Sequence, residues 1–213
     1  GKAAALMLCE NGYTVYELSR RGENYSSIFH ITADVTNPAS IAAAAAKVIE
    51  KEGRIDLLVN NAGGGVAIKE TTELEPAEID HILKLNLNSV IYGSKLFGTV
   101  MKHQRSGMII NISSVCARHC WGGWSVYAAA KAGVLNFTKG LYVELQPYHV
   151  RATCIIPAAA STGFQKGAGI DAVEESLSAE DIANALFYAA NQPEGAVVEE
   201  MTVWGTSRRV EPL

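Results

Sequence analysis

The sequence predicts an α/β protein in which a parallel, doubly wound sheet carries helices on both faces. Segments typical of strands alternate with helical segments along the chain, and this alternation favours parallel pairing. Several strand segments are unbroken apolar runs, as at residues 57–59 and 108–110, which is typical of strands covered on both faces. The 213-residue chain is 48% hydrophobic, so we expect one core and a single domain over residues 1–213.

The first half of the chain contains residues that mark where its elements begin and end. Gly12 ends the first apolar helical segment, as glycine commonly does at a helix C-terminus. Thr36 or Asn37, just before Pro38, would start the next helix well. The predicted elements are, in order, a helix over 1–12, strands over 13–18 and 27–32, an alanine-rich helix over 41–50 and a strand over 54–59.

The second half continues the alternation with a long helix, in which Asn86 interrupts an apolar run. Ser178 followed by Asp181 is typical of a capped helix start. The glycine-rich segment 163–177 is predicted to be irregular. The predicted elements are, in order, a helix over 76–103, a strand over 108–113, a helix carrying Tyr127, a strand over 149–157, a helix from about 178 to 191 and a strand over 197–204.

Composition and charge argue against several classes of protein. The net charge is −4 and no block of basic residues stands out, so we expect no nucleic-acid partner. No apolar run approaches the roughly 20 residues that a bilayer span needs, so we expect no membrane partner and a cytoplasmic location. Cysteines occur at positions 9, 116, 120 and 154, without the paired spacing of a zinc site. We therefore expect reduced thiols and no bound metal.

The most informative stretch is 111–139, where a strand ends in two serines and a later helix carries Tyr127 and Lys131. Because residues four apart share a helix face, the phenol and the ammonium would share a pocket. A nearby positive charge favours the phenolate, so we expect a lowered pKa for Tyr127 and proton transfer near neutral pH. The hydroxyl of Ser114 could hold a substrate carbonyl oxygen. The alternative is a chance pair of helical side chains.

Further motifs accompany this stretch: Asn60-Asn61-Ala62-Gly63 after one strand, Asp34-Val35 after another, and Asn86 in the long helix. In this order the motifs resemble the short-chain dehydrogenase/reductase family over almost the whole chain. The resemblance implies a Rossmann-like fold and hydride transfer between a nicotinamide and a carbonyl or alcohol carbon.

The resemblance also assigns catalytic roles to four residues. Ser114 would polarise the substrate oxygen and Tyr127 would pass the proton. Lys131 would lower the pKa of the phenol and hold the cofactor ribose. Asn86 would distort its helix and hold a water beside Lys131; a polar side chain satisfied within a kinked helix is the alternative.

Cofactor contacts are implied for a second set of residues. Gly1 resembles the last glycine of a phosphate-binding turn, so we expect the first strand and most of that turn to be missing from the printed chain. Thr162 would bond the nicotinamide carboxamide, although Ala158 stands where the family usually has glycine, which disfavours positive φ. The other implied contacts are Asp34 and Val35 at the adenine, and Asn61, Ala62, Gly63, Tyr127, Lys131 and Pro157.

The choice of cofactor depends on the end of the strand over 13–18. In dinucleotide-binding folds an acidic residue there binds the ribose 2′-hydroxyl, whereas arginine accommodates a 2′-phosphate. Here Ser19 is followed by Arg20 and Arg21, which favours NADP(H) over NAD(H). Two solvated arginines in a turn are the alternative.

Substrate and assembly are less sharply indicated. Trp121 and Trp124 suggest an apolar or aromatic ketone or alcohol, although ordinary loop packing explains tryptophans equally well. The segment 163–177 stands where the family has a mobile substrate lid. Family members commonly pair through two long helices, so a homodimer or homotetramer is expected. Two rival functions are a non-catalytic protein that senses the cofactor or acts as a scaffold, and a 3-oxoacyl thioester reductase.

Overall fold

The computed structural model describes residues 1–22, 27–64, 68–169 and 177–206. Helices and strands alternate through these ranges as predicted. The strands are β1 (Val15–Ser19), β2 (Ile28–Thr32), β3 (Leu57–Asn60), β4 (Gly107–Ile112), β5 (Val150–Pro157) and β6 (Glu200–Val203). The α-helices are α1 (Lys2–Glu10), α2 (Pro38–Glu52), α3 (Pro76–Leu83), α4 (Ser89–Gln104), α5 (Ser125–Leu145), α6 (Gly163–Ala168) and α7 (Ala179–Ala190).

All strand pairs in the described ranges are parallel. β1 pairs with β2, and a separate four-stranded sheet has the order β3-β4-β5-β6. In the larger sheet Asn60 of β3 lies opposite Asn111 of β4. Because parallel strands end at the same edge of a sheet, the loops after β3, β4 and β5 meet there.

Helices cover both faces of the larger sheet, as the doubly wound fold requires. Ile109 of β4 packs with Phe97 of α4 and Leu141 of α5 on one face. Ile110, the next residue of β4, packs with Leu8 of α1 and Leu186 of α7 on the other face. Successive residues of one strand point in opposite directions, and both are apolar here, which explains the unbroken apolar run in the sequence.

Helix ends agree with the signals in the sequence. Asn37 is the N-cap of α2, and its side chain accepts hydrogen bonds from Ala39 N and Ser40 N. Ser178 and Asp181 form the capping box of α7. Gly12 follows α1 with φ of 87°, a left-handed conformation that glycine adopts without strain.

Two predicted segments differ from the structure. The long helix over 76–103 is divided by a π-helical turn over Lys84–Asn88, where one extra residue widens the backbone turn. Residues 163–168 were predicted to be irregular but form α6, while 170–176 of the predicted lid lie outside the described residues. Within the described ranges no helix combines the length and the hydropathy needed to cross a membrane.

A buried chain of polar side chains ties the larger sheet to α4 and α5. Asn60 Nδ2 donates to Asn111 Oδ1 at 2.8 Å and to Ser94 Oγ at 3.1 Å. Asn111 Nδ2 in turn donates to Thr138 Oγ1 at 3.0 Å, and that hydroxyl donates to Val134 O. Asn111 and Thr138 are almost fully buried, so losing one partner would leave a polar group without water or protein to bond.

This series of buried hydrogen bonds predicts the effect of Thr138→Val, which keeps the side-chain shape but removes the acceptor of Asn111. We expect the free energy of unfolding to fall by about 1–3 kcal/mol, the usual cost of an unsatisfied buried donor. Thr99→Val on α4 is the matched control, because the exposed Thr99 hydroxyl also donates to a helical carbonyl, that of Lys95. Urea unfolding of both variants would measure the difference, and equal losses would contradict the role of the buried chain.

Candidate active site

A cavity of about 750 Å³ opens at the carboxyl edge of the larger sheet. It gathers predicted residues from the loops after β3, β4 and β5 and from the start of α5. The predicted site residues that line it are Gly1, Asn61, Gly63, Ser114, Tyr127, Lys131, Pro157 and Thr162. Those that do not line it are Ser19, Arg20, Arg21, Asp34, Val35, Ala62 and Asn86. The structure therefore brings together the proposed reactive groups and part of the proposed cofactor set.

Lys131 is held inside the protein by reciprocal hydrogen bonds between β4 and α5. Its Nζ donates to Ile112 O at 3.0 Å, and Ser113 Oγ donates to the backbone oxygen of Lys131 at 2.8 Å. Only 3% of Lys131 is exposed. Burial in this site lowers the pKa of the Lys131 amine to about 8, because the charged form loses its hydration. The amine is therefore still mostly protonated at neutral pH.

Tyr127 lies one helical turn before Lys131 on α5 and lines the cavity together with Ser114. Lys131 Nζ lies 5.7 Å from the centroid of the phenol ring. Burial raises the pKa of Tyr127, the neighbouring Cys116 thiol adds to the rise, and the Ser114 hydroxyl opposes it. The predicted lowering of this pKa is thus wrong for this structure, because the loss of hydration on burial is the largest effect on the phenol.

Ser114 is positioned by the short turn that follows β4. Its side chain caps a 3₁₀ turn over Val115–Ala117 and accepts a hydrogen bond from Cys116 N at 3.2 Å. Ser114 and Tyr127 line the same cavity. One oxygen therefore shapes the loop and faces the space where a carbonyl oxygen could bind.

Asn86 lies in the π-helical turn, fully buried behind the cavity wall. Its Nδ2 donates to Gly64 O and Ile82 O, and its Oδ1 accepts from Gly64 N, each at 2.9 Å. The structure confirms a backbone distortion at Asn86. The side chain ties the loop after β3 to the helix, and its part in a proton relay stays a prediction.

Glycine at position 63 allows the loop after β3 to approach these groups. A Cβ added to Gly63 would lie 3.0 Å from Asn86 Oδ1 and 3.4 Å from Lys131 Nζ. A Cβ added to Gly1 would lie 2.9 Å from Asn61 Nδ2. Glycine at these two positions therefore lets the backbone pack closely against the side chains of Asn86, Lys131 and Asn61.

The loop after β5 has an ordinary backbone despite its substituted glycine. Ala158 N donates to Val203 O at 2.9 Å. Among the described non-glycine residues only Arg105 and His149 have positive φ, so alanine at 158 introduces no strain. Thr162 Oγ1 accepts from Phe164 N at 3.3 Å.

The ends of β1 and β2 lie side by side, because Ala33 N donates to Ser19 O. Asp34 accepts hydrogen bonds from Thr36 N and Thr36 Oγ1, which lower the pKa of its carboxyl group, and the charge of Arg20 lowers it slightly further. Within the described residues the buried Ser19 Oγ has no hydrogen-bond partner. This edge thus combines an exposed cation with an unsatisfied polar atom.

Aromatic residues that sequence reasoning missed complete one wall of the cavity. Phe164 of α6 stacks near Trp124 with centroids 6.2 Å apart and lies 5.7 Å from the ring of Tyr127. His119 lies between Trp121 and Trp204. No sequence motif marked Phe164 or Trp204, since the contacts join segments far apart in the chain. The described residues contain no cluster of metal-binding side chains.

Comparisons with known proteins identify relatives of this chain. A relative from Bacteroides thetaiotaomicron named 3-ketodihydrosphingosine reductase is 34% identical over 77% of this chain and 61% of its own length. A cyclohexanol dehydrogenase from a Rhodococcus species is 35% identical over 62% of this chain and 50% of its own length. The chain thus spans between half and two thirds of each of these two relatives.

A solved structure shows the same fold over the full length of the described chain. The alcohol dehydrogenase from Thermococcus sibiricus, complexed with 5-hydroxy-NADP, superposes with a TM-score of 0.89 at 24% sequence identity. The superposition covers 100% of this chain and 94% of that chain. The family model for short chain dehydrogenase matches residues 1–172. Since that match includes the loops after β3, β4 and β5 and the start of α5, the chain belongs to the short chain dehydrogenase family.

Proposed function

We propose that the protein is a cytoplasmic, single-domain oxidoreductase that uses NADP(H) to interconvert a ketone and a secondary alcohol. The observation that carries the proposal is that Ser114, Tyr127 and the buried Lys131 amine line one cavity, with Lys131 Nζ 5.7 Å from the centroid of the phenol ring. A non-catalytic protein of this fold has no evident need to bury a protonated amine next to a phenol.

The residues at the cavity fit the nicotinamide end of such a cofactor. The cavity is lined by Gly1, Asn61, Gly63, Pro157 and Thr162. Lys131 offers N–H groups to a ribose hydroxyl from within the wall. The bound cofactor would supply hydride exchange at the nicotinamide ring, and these protein groups would hold and orient it.

The protein side of the reaction is proton transfer at Tyr127 Oη. Burial keeps the phenol protonated, which suits a donor of the proton to a carbonyl oxygen. Ser114 Oγ would hold that oxygen by a hydrogen bond. The Lys131 ammonium would stabilise the phenolate that remains, and Asn86 would position Lys131 through the loop after β3.

NADP(H) is the favoured cofactor because Arg20 is exposed at the end of β1 and its charge acts on Asp34 at the end of β2. The Thermococcus sibiricus structure contains a derivative of NADP. Ser19, Arg20 and Arg21 would bind the 2′-phosphate, while Asp34 and Val35 would border the adenine.

An apolar or aromatic ketone is the favoured substrate, because Trp121, Trp124 and Phe164 line the cavity beside Tyr127. The names of the two relatives specify a long-chain ketone and a ring alcohol, respectively. The proposal includes a homodimer or homotetramer formed through α4 and α5, which sedimentation velocity would test.

Tyr127→Phe should lower kcat by about 10²- to 10⁴-fold, the range that general acid catalysis commonly supplies. The dissociation constant of NADPH, measured by nucleotide fluorescence, should change little because the ring is kept. Tyr188→Phe is the control, since Tyr188 is 57% exposed on α7. A Tyr127→Phe variant with more than a tenth of wild-type turnover would exclude the acid role.

Arg20→Ala should raise the dissociation constant of NADPH about tenfold, because a charge-assisted contact to the 2′-phosphate is lost. The constant for NADH, which lacks that phosphate, should stay nearly unchanged. Arg54→Ala serves as the control because Arg54 is exposed and pairs with Asp56, far from β1's end. Equal weakening of both nucleotides by Arg20→Ala would contradict the assignment of NADP(H).

Lys131→Met tests the cost of burying the amine. The amine titrates near 10.5 in a solvated chain and near 8 in the folded protein. Below pH 8 the Lys131 amine is protonated in both the folded and the unfolded state, so the folded state carries the full cost of burying the charge. Above pH 8 the amine loses its proton first in the folded state, and this cost shrinks.

Lys131→Met should therefore be more stable than wild type by as much as about 3 kcal/mol at pH 7, and by about 1 kcal/mol at pH 9.5. Urea unfolding at both values of pH measures this, with Lys95→Met on the exposed side of α4 as the control. An unchanged difference between the two values of pH would show that the Lys131 amine is not desolvated.

A further inference from the structure

His119 adds an imidazole to the part of the cavity wall that contains Trp121 and Trp204. His119 follows the 3₁₀ turn after β4, and its backbone N donates to Val115 O at 2.9 Å. Its imidazole lies 6.1 Å from the Trp121 ring, nearly parallel to it, and 5.5 Å from the Trp204 ring, edge to face. All three residues line the cavity that contains Tyr127.

Both ring nitrogens of His119 remain available to form hydrogen bonds. Neither nitrogen bonds another residue of the described chain, and neither is among the buried polar atoms without a partner. They therefore reach the cavity or the solvent at its mouth. The rings of Trp121 and Trp204 lie beside the imidazole.

The charged side chains near His119 bond to other residues and not to its imidazole. The guanidinium of Arg118 bonds Glu200 and Thr202 on β6, and Lys139 also pairs with Glu200. Cys116 and Cys120 are the other titratable groups on this loop, and burial raises the pKa of the Cys116 thiol, so it stays uncharged. Among the described residues no carboxylate pairs with His119, so a ligand that enters the cavity meets its ring without such competition.

We propose that His119 is a specificity-determining residue that binds an oxygen substituent of the substrate remote from the reacting carbonyl. This inference rests on the proposed function. The substrate class is then an apolar or aromatic ring ketone with a hydroxyl or similar oxygen at its far end. Pockets of this kind hold the body of a ligand by apolar contact and orient it by a few polar groups.

The cavity is of the size found for small-molecule sites. Its volume of about 750 Å³ lies within the usual range of roughly 300–1,000 Å³, and the substrate would share it with the nicotinamide end of the cofactor. A substrate anchored by Ser114 and Tyr127 at one end has Trp121, Trp124 and Phe164 along its body. His119 supplies a second polar contact that selects one orientation.

The test compares 1-tetralone with its 5-, 6- and 7-hydroxy derivatives, which differ only in a hydroxyl remote from the carbonyl. In wild type at least one hydroxy derivative should exceed 1-tetralone in kcat/KM by about fivefold to tenfold, as one added hydrogen bond provides. His119→Phe should remove this preference, whereas His119→Gln should retain part of it. His103→Phe, at the exposed end of α4, should leave it unchanged.

Ligand binding measured by tryptophan fluorescence separates this proposal from the proposed function. If wild type reduces none of the ketones with NADPH or NADH, the oxidoreductase proposal fails, and the ratio of dissociation constants still tests His119. A wild type without preference for any hydroxy derivative would overturn the role of His119. So would a His119→Phe variant that weakens all four compounds equally, because the ring would then serve packing alone.

Discussion

The burial of one amine is the constraint on which the carboxyl edge of the sheet depends. Lys131 has three N–H groups when protonated, yet its described protein acceptor is Ile112 O. No carboxylate in the described ranges pairs with this amine. Such an arrangement costs folding free energy, and the Ser113 hydroxyl keeps it in place by holding the backbone of Lys131. The unfavourable burial of this charge therefore occurs at the cavity.

The loop after β3, the end of β4 and helix α5 must meet around the Lys131 amine, and buried polar contacts bring them together. The π-helical turn directs the Asn86 amide toward the backbone of Gly64, which fixes the loop after β3. The Asn60–Asn111–Thr138 chain fixes β3 and β4 against α5. Because polar groups in such networks lose much when one partner moves, the position of Gly63 beside Lys131 is set by the core and not by the loop alone.

Much of this arrangement could be predicted from local patterns. Alternating apolar segments predicted the order of helices and strands, and the spacing of Tyr127 and Lys131 placed both on one helix face. The π-helical turn could not be predicted, because one extra residue in a turn leaves the apolar periodicity almost unchanged. The direction of the pKa shift of Tyr127 also could not be predicted. Its loss of hydration depends on Phe164 and Trp124, whose rings pack near the phenol in the folded chain. The contact of His119 with Trp204 joins residues far apart in sequence for the same reason.

Desolvation acts on the two titrating groups of the site in opposite directions, and this bears on the direction of the proposed reaction. It raises the pKa of the Tyr127 phenol and lowers that of the Lys131 amine, because in both it favours the neutral form. Near neutral pH the phenol keeps its proton while the amine still carries charge. Reduction of a carbonyl needs this combination, since the phenol donates and the ammonium stabilises the resulting phenolate. Oxidation of an alcohol begins from the phenolate, which forms only at higher pH, where the amine is losing the charge that would stabilise it. In the proposed reaction, a protonated phenol beside a charged amine would therefore suit proton donation to a carbonyl oxygen near neutral pH.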